Sequence, residues 1–163
     1  MSNGDVAGLV RIFVDADACP VKQEVYRVAK RYSLAVTLVA NCRMRIPQDA
    51  SITLEVVSGA LDAADDWIAA RAGTHDIVVT ADIPLASRCL KGGACVISPA
   101  GKPFTEDNIG QSVAMRELLS ELRNAGEMTG GPPPLNQRDR SLFLQRLDDA
   151  IQAVRRSAAF LST

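Results

Sequence analysis

Five aspartates stand at positions where the sequence could support chemistry. Asp15 and Asp17 follow the first apolar run of the chain, and Asp82 follows a later one. Asp62 and Asp65 lie in a helical segment at a spacing that puts both on one face. Each aspartate alone could simply cap a helix or favour its N-terminal dipole. Their grouping indicates a shared site, because ligands of open α/β sheets bind beyond the carboxyl ends of the strands.

Such a cluster of carboxylates favours a bound cation. Two like charges about 4 Å apart repel by about 4 kcal/mol at an effective dielectric constant of about 20, so converging acids raise each other's pKa. A divalent cation removes this conflict, and oxygen ligands suit Mg²⁺ or Mn²⁺, which can activate water against a phosphodiester. We therefore predict catalytic roles for Asp15, Asp17, Asp65 and Asp82, and metal binding by these four and Asp62.

Histidine and cysteine chemistry is largely excluded. The single histidine, His75, rules out an HExxH zinc site or a histidine pair, and its turn-like surroundings predict a surface position. The four cysteines form no CxxC pair, which argues against zinc fingers and thioredoxin-like chemistry. Cys19 is expected to be a packed residue rather than a nucleophile, because nearby carboxylates disfavour its thiolate.

Composition limits the classes of partner. The chain has 163 residues, with 18 Lys and Arg against 19 Asp and Glu, for a net charge of −1. A protein that depends mainly on phosphate contacts would be basic, so binding to nucleic acid is expected to be local. No apolar run approaches the roughly 20 residues that span a bilayer, and no secretory signal is evident. We therefore expect a cytoplasmic protein with reduced thiols and no membrane partner.

Apolar runs and helical segments alternate along the chain. The predicted strands are residues 9–14, 34–40, 52–57, 76–80 and 94–97. The helices predicted between them are residues 20–32, with Pro20 in the first turn, 61–72 and 84–90. This alternation predicts an α/β fold with a doubly wound, mostly parallel sheet of about five strands and helices on both faces.

The ends of the chain differ from this central pattern. Residues 1–8 are predicted to be a flexible tail, and residues 9–163 to form a single domain. After the last strand the pattern predicts two C-terminal helices, at about 105–124 and 138–159, separated by a Gly- and Pro-rich break at 130–134.

Several linked motifs run along the chain. They are Asp15-Ala16-Asp17-Ala18-Cys19-Pro20, Val39-Ala40-Asn41, Asp62-Ala63-Ala64-Asp65, Thr80-Ala81-Asp82-Ile83-Pro84-Leu85-Ala86, Gly130-Gly131-Pro132 and Arg138-Asp139-Arg140. Together they resemble the YaiI/YqxD family of small, uncharacterised bacterial proteins, which is placed by similarity among the PIN-like domains. The resemblance implies a nuclease-type α/β fold whose acidic residues hold Mg²⁺ or Mn²⁺ and cut RNA or, in some branches, flap DNA.

The resemblance also implies roles for individual acids. Asp15 would occupy the acidic position after the first strand, Asp65 with Asp62 the position on the central helix, and Asp82 the position after the fourth strand. This chain carries Asp65 where many PIN-like nucleases have Glu. Asp17 is the candidate for their last acid, which usually lies further along the chain.

Polar and basic residues near these acids are candidates for binding the substrate. They are Asn41, Arg43, Arg45, Arg88 and Lys102. Asn41 follows an apolar strand and could orient a water or a phosphate, although Asn is also common in turns. The arginines could contact a phosphate backbone, and the alternative is that they are solvated surface residues. The expected partner is RNA, or single-stranded or flap DNA.

Other functions remain open at this point. The main alternative is a non-catalytic PIN-like protein that binds RNA or a nucleotide in a regulatory role. Asp15-x-Asp17 also fits a haloacid-dehalogenase-like phosphatase, with Asp15 as the nucleophile. That mechanism needs a lysine before the final acid, and only Lys22 and Lys30 precede Asp82, both on the first helix. A phospho-receiver domain would need a Ser or Thr one strand before a strand-end Lys-Pro such as Lys102-Pro103. It is disfavoured, because Ser98 is too close to Lys102 for a helix to lie between them.

Overall fold

The structure, a computed structural model of the chain, describes residues 10–59, 62–111, 114 and 135–162. Six strands form one sheet: β1 (Arg11–Asp15), β2 (Ala35–Ala40), β3 (Ile52–Val56), β4 (Asp76–Val79), β5 (Cys95–Ile97) and β6 (Pro103–Phe104). They pair in the order β3-β2-β1-β4-β5-β6. The first five are parallel, and β6 runs antiparallel to β5.

Helices cover both faces of this sheet. They are α1 (Lys22–Tyr32), α2 (Ala63–Arg71), α3 (Ile83–Lys91), α4 (residues 106–111) and α5 (Gln137–Ser162). One core cluster joins the sheet to α1 and α5, and a second joins the opposite face to α2 and α3. The predicted fold class, a doubly wound and mostly parallel α/β sheet with C-terminal helical structure, is confirmed.

Alternation along the strands explains the two layers. Val14 packs in the cluster that contains Phe143 of α5, whereas its neighbour Phe13 packs in the cluster that contains Ile68 of α2. Successive strand residues point to opposite faces, so a strand covered on both sides must be apolar throughout. Consequently, β1 and β4 lie in the middle of the sheet and are covered by helices on both faces.

Some predicted boundaries differ from the structure. Pro20 precedes α1 rather than lying in its first turn, because residues 16–18 form a short 3-10 turn first. The sheet has a sixth strand, which the sequence did not reveal because β6 has only two residues and begins with proline. The predicted tail 1–8, the break at 130–134 and most of the helix 105–124 beyond residue 111 lie outside the described residues.

The connection between β2 and β3 contains no helix. Residues 41–51, here called the crossing loop, return the chain from the carboxyl end of β2 to the start of β3. Met44 and Ile46 anchor the crossing loop, since both are partly buried against the cluster that contains α1. The crossing loop therefore lies on the same face of the sheet as α1. Within the described ranges, no helix is long and apolar enough to span a membrane.

Gly101 is expected to be required for docking α5 on the sheet. It has a φ of +86°, and a Cβ there would lie 3.3 Å from both Leu142 Cγ and Phe143 N. Gly101→Ala should lower the free energy of unfolding by about 1–3 kcal/mol, through backbone strain and displacement of the helix. Urea unfolding of Gly110→Ala provides a control, because that Cβ would meet nothing within 4 Å. Equal stability of the two variants would contradict this account.

Candidate functional site

Asp15 lies at the point where the strand order reverses. It is the last residue of β1, and its half-buried carboxylate accepts a 2.9 Å hydrogen bond from Thr80 Oγ1. Thr80 directly follows β4, the neighbour of β1, so the bond joins the ends of two adjacent strands. The chain runs outward from β1 through β2 to β3 and then returns to form β4 on the other side of β1. The carboxyl ends of β1 and β4 thus form the switch point at which open α/β sheets bind ligands.

Asp82 is both a helix cap and a neighbour of Asp15. As the N-cap of α3, its Oδ1 accepts a 2.9 Å hydrogen bond from the backbone N–H of Leu85. Its own N–H donates to Thr80 Oγ1 over 3.0 Å. The buried hydroxyl of Thr80 thus connects the Asp15 carboxylate to the start of α3. Thr80 was not among the predicted site residues, although its position at the end of an apolar strand, where polar residues gather around ligands, points to it.

Asp65 completes the group from α2, which packs on the same face of the sheet as α3. Its half-buried carboxylate is carried by α2, and Asp62 is the exposed N-cap residue of the same helix, without a side-chain capping bond. Burial and then the charges of Asp82, Asp15 and Asp62 raise the pKa of Asp65 to about 6, while Arg88 acts against them. Four acids from three elements therefore share one electrostatic field, and we call Asp15, Asp62, Asp65 and Asp82 the acidic edge.

The pKa of Asp15 is raised as well. Burial is the main cause; the bond from Thr80 lowers the pKa, and the charges of Asp82 and Asp17 raise it. A carboxylate that is poorly solvated and close to other negative charges is favoured by a positive partner. The sequence-based expectation that these acids influence one another therefore agrees with their electrostatics.

Asp17 makes a different kind of contact. Its exposed carboxylate accepts hydrogen bonds from the backbone N–H of Asn41 at both oxygens, over 3.2 and 3.0 Å. This ties the turn after β1 to the start of the crossing loop. Asp17 thus positions the neighbouring backbone. In this contact the donor is the main-chain N–H of Asn41.

The candidate substrate-binding cations are dispersed around the acidic edge. Arg43 and Arg45 are exposed on the crossing loop. Arg88 lies on α3 and forms an exposed 2.7 Å ion pair with Asp66. Lys102 is in the turn that follows β5, with its Nζ 6.0 Å from the centre of the Phe104 ring. Only Arg88 is coupled electrostatically to Asp65, so the structure does not bring the four cations together.

The donor chemistry of the acidic edge fits a hard cation. Every side chain in it offers carboxylate oxygen. Burial first, and then the charges of the neighbouring acids, raise the pKa of Asp65, and a bound cation would offset both effects. Among the described residues, no three His, Cys, Asp or Glu side chains already form a group spaced to hold a metal ion. Cys19, nearby, is buried and has a raised pKa, so it is a packed thiol rather than a thiolate.

Asp65→Asn is expected to stabilise the protein in EDTA at neutral pH. The carboxyl pKa rises from its ordinary value of 3.8 to about 6 on folding. The contribution of the Asp65 carboxyl group to stability is therefore fully present below about pH 4, where the group is neutral, and is lost as pH rises through about 6. Asn stays neutral at every pH and so avoids this loss. Because Asp65 is partly open to solvent, the gain should be only about 1 kcal/mol, or about 2–4 °C in Tm.

Thermal unfolding from pH 4 to pH 8 checks this expectation. Asp66→Asn is a matched control on the same helix, since Asp66 is exposed and paired with Arg88. The control should show no gain that grows with pH. A Tm difference for Asp65→Asn that stays constant over this range would contradict the shared field of the acidic edge.

The fold and its acidic edge define a doubly wound α/β protein with carboxylates at the switch between β1 and β4. More specifically, the chain belongs to the family described as "Uncharacterized BCR, YaiI/YqxD family", whose model matches residues 13–153. The resemblance of the sequence motifs to the YaiI/YqxD family is thereby confirmed.

Similar bacterial proteins extend over nearly the same length. The chain is 57% identical to a UPF0178 protein of Nitrobacter winogradskyi, over 92% of this chain and 96% of the relative. It is 58% identical to one of Rhodopseudomonas palustris, over 93% and 96% of the two chains. It is 55% identical to one of a Bradyrhizobium species, over 92% of each chain. No solved structure matches the chain.

Proposed function

We propose that this protein is a Mg²⁺- or Mn²⁺-dependent nuclease that hydrolyses phosphodiester bonds, with RNA preferred over DNA. The observation that supports this most is the pKa of Asp65, raised by burial and by the charges of Asp82, Asp15 and Asp62. Titratable groups perturbed in this way, at the ligand-binding edge of an α/β sheet, are typical of functional sites. The resemblance of the motifs to PIN-like nucleases supports the same assignment.

The acidic edge supplies the ligands in this proposal. The residues that would hold the cation are Asp15, Asp65 and Asp82, with Asp17 and Asp62 as further ligands or water-orienting groups. A bound divalent cation would lower the pKa of a water molecule and stabilise negative charge on phosphate oxygens. Thr80 holds the Asp15 carboxylate in one orientation, and the cap at Leu85 does the same for Asp82.

Cations around the acidic edge would bind the nucleic acid. Arg43 and Arg45 would contact phosphates from the crossing loop, which the bond between Asp17 and Asn41 keeps beside the site. Arg88 would exchange Asp66 for a phosphate at little cost, because an exposed ion pair contributes at most about 1 kcal/mol. Asn41 and Lys102 would provide further polar contacts at the rim.

Cleavage of labelled oligonucleotides tests this function. Purified protein should cut single-stranded RNA with Mn²⁺ or Mg²⁺, cut DNA more slowly, and lose both activities in EDTA. Binding of RNA without cleavage under all metal conditions would instead support the non-catalytic RNA-binding alternative. Hydrolysis of a small phosphate monoester alone would favour the phosphatase. Either result would overturn the nuclease assignment.

A further inference from the structure

A groove separates α1 from the crossing loop. It has a volume of about 310 Å³, and its lining includes Gln23, Tyr26, Arg27 and Lys30 of α1, together with Asp49 of the crossing loop. The part of α1 that lines the groove, from Gln23 to Lys30, is about 10 Å long. These residues belong to none of the motifs found in the sequence.

The charge of the groove is predominantly positive. Arg27 and Lys30 are exposed one turn apart on α1, and neither forms an ion pair with any carboxylate in the described ranges. By contrast, the adjacent Arg31 is paired with Asp148 over 2.6 Å. The lining of the groove therefore carries two cations, Arg27 and Lys30, against the single carboxylate of Asp49. Arg43 and Arg45 lie earlier on the crossing loop, outside this lining.

The two elements that form the groove are held at the turn after β1. The start of α1 is bound to the turn after β1, because Lys22 Nζ donates to the Cys19 carbonyl over 2.9 Å. The crossing loop starts at Asn41, which Asp17 holds at the same turn. The crossing loop ends at the amino ends of the strands, where the backbone carbonyl of Ser51 accepts a hydrogen bond from the N–H of Val36. Both walls of the groove therefore start at the turn that follows Asp15, the residue that β1 contributes to the acidic edge.

We propose that this groove binds a single strand of RNA and guides it to the acidic edge. The proposal rests on the nuclease function proposed above and extends its substrate-binding surface to Arg27 and Lys30. A positively charged groove combined with an aromatic ring is the usual means of binding single strands, and the half-buried Tyr26 offers that ring.

Asp49 gives the groove a basis for choosing RNA. Its Oδ1 is already bonded to the N–H and hydroxyl of Ser51, over 2.8 and 2.6 Å. Its Oδ2 accepts no hydrogen bond from the described residues and is available for a donor. A carboxylate repels phosphates but accepts a hydrogen bond from the ribose 2′-hydroxyl, the group that distinguishes RNA from DNA.

Fluorescence anisotropy with a labelled 12-nucleotide RNA and the matching DNA, both single-stranded and in EDTA, tests the groove. Arg27→Ala combined with Lys30→Ala should weaken RNA binding about tenfold and reduce the slope of log K against log salt by about 1.4, for two lost phosphate contacts. The control is Lys91→Ala combined with Arg156→Ala, which removes two exposed cations elsewhere. Both double variants should keep the wild-type Tm, since exposed substitutions cost little.

The outcomes separate this proposal from the nuclease assignment. Equal RNA affinity for both double variants, or no RNA binding by the wild type, overturns the proposal that the groove binds RNA. Asp49→Ala, which leaves no side-chain partner for the 2′-hydroxyl, should reduce the preference for RNA over DNA, and an unchanged preference overturns the role of Asp49. If the wild type binds RNA in the groove but never cleaves it, the groove stands and the nuclease function fails.

Discussion

Asp15→Asn is expected to reduce metal-dependent cleavage of RNA by at least about 100-fold while leaving the protein folded. A bound cation stabilises the transition state by several kcal/mol, and each 1.4 kcal/mol lost lowers the rate about tenfold. Asn has nearly the shape of Asp, and its oxygen can still accept the hydrogen bond that Thr80 donates over 2.9 Å. Since burial already raises the pKa of Asp15, a neutral side chain should not lower stability.

Single-turnover cleavage with Mn²⁺, together with Tm, measures both parts of this expectation. Asp107→Asn is a suitable control, because Asp107 is an exposed carboxylate on α4 and lies outside the acidic edge. It should cleave at the wild-type rate. Residual cleavage by Asp15→Asn at a rate close to that of the control would mean that Asp15 is not a ligand, or that a contaminating nuclease is present.

The arrangement of the acidic edge could be predicted because few local rules determine it. Continuous apolar runs indicated strands buried on both faces, and parallel strands bring their carboxyl ends to one edge. Asp15 and Asp82 follow two such runs, so their proximity required only the pairing of β1 with β4. The electrostatic coupling of Asp65 to both acids agrees with the placement of its helix after β3.

Individual side-chain partners could not be predicted in the same way. The Thr80 bond, the pairing of Asp66 with Arg88 and the binding of Asp17 to the Asn41 amide depend on rotamers and on loop geometry. The groove also depends on which face of the sheet the crossing loop follows, and no periodic pattern encodes that choice. Packing of Met44 and Ile46 decides it, and only the assembled core shows where they fit.

Asp82 should separate the roles of a helix cap and a metal ligand. Asp82→Asn is expected to lose about 100-fold in metal-dependent cleavage with little change in stability, because Asn caps helices as well as Asp does. Asp82→Ala should lose the same activity and also about 1 kcal/mol of stability, since the N–H of Leu85 loses its acceptor. Cleavage rates and urea unfolding of the two variants give both quantities.

Asp82→Ser completes this comparison, because serine also caps helices but cannot bind a cation as a carboxylate does. If Asp82 acts only through the structure of α3, the Ser and Asn variants should cleave like the wild type, and only Ala should be impaired. If its charge holds the cation, all three variants should be inactive while only Ala is less stable. The second pattern is expected, because the charge of Asp82 acts on both Asp15 and Asp65 while its cap uses a single oxygen.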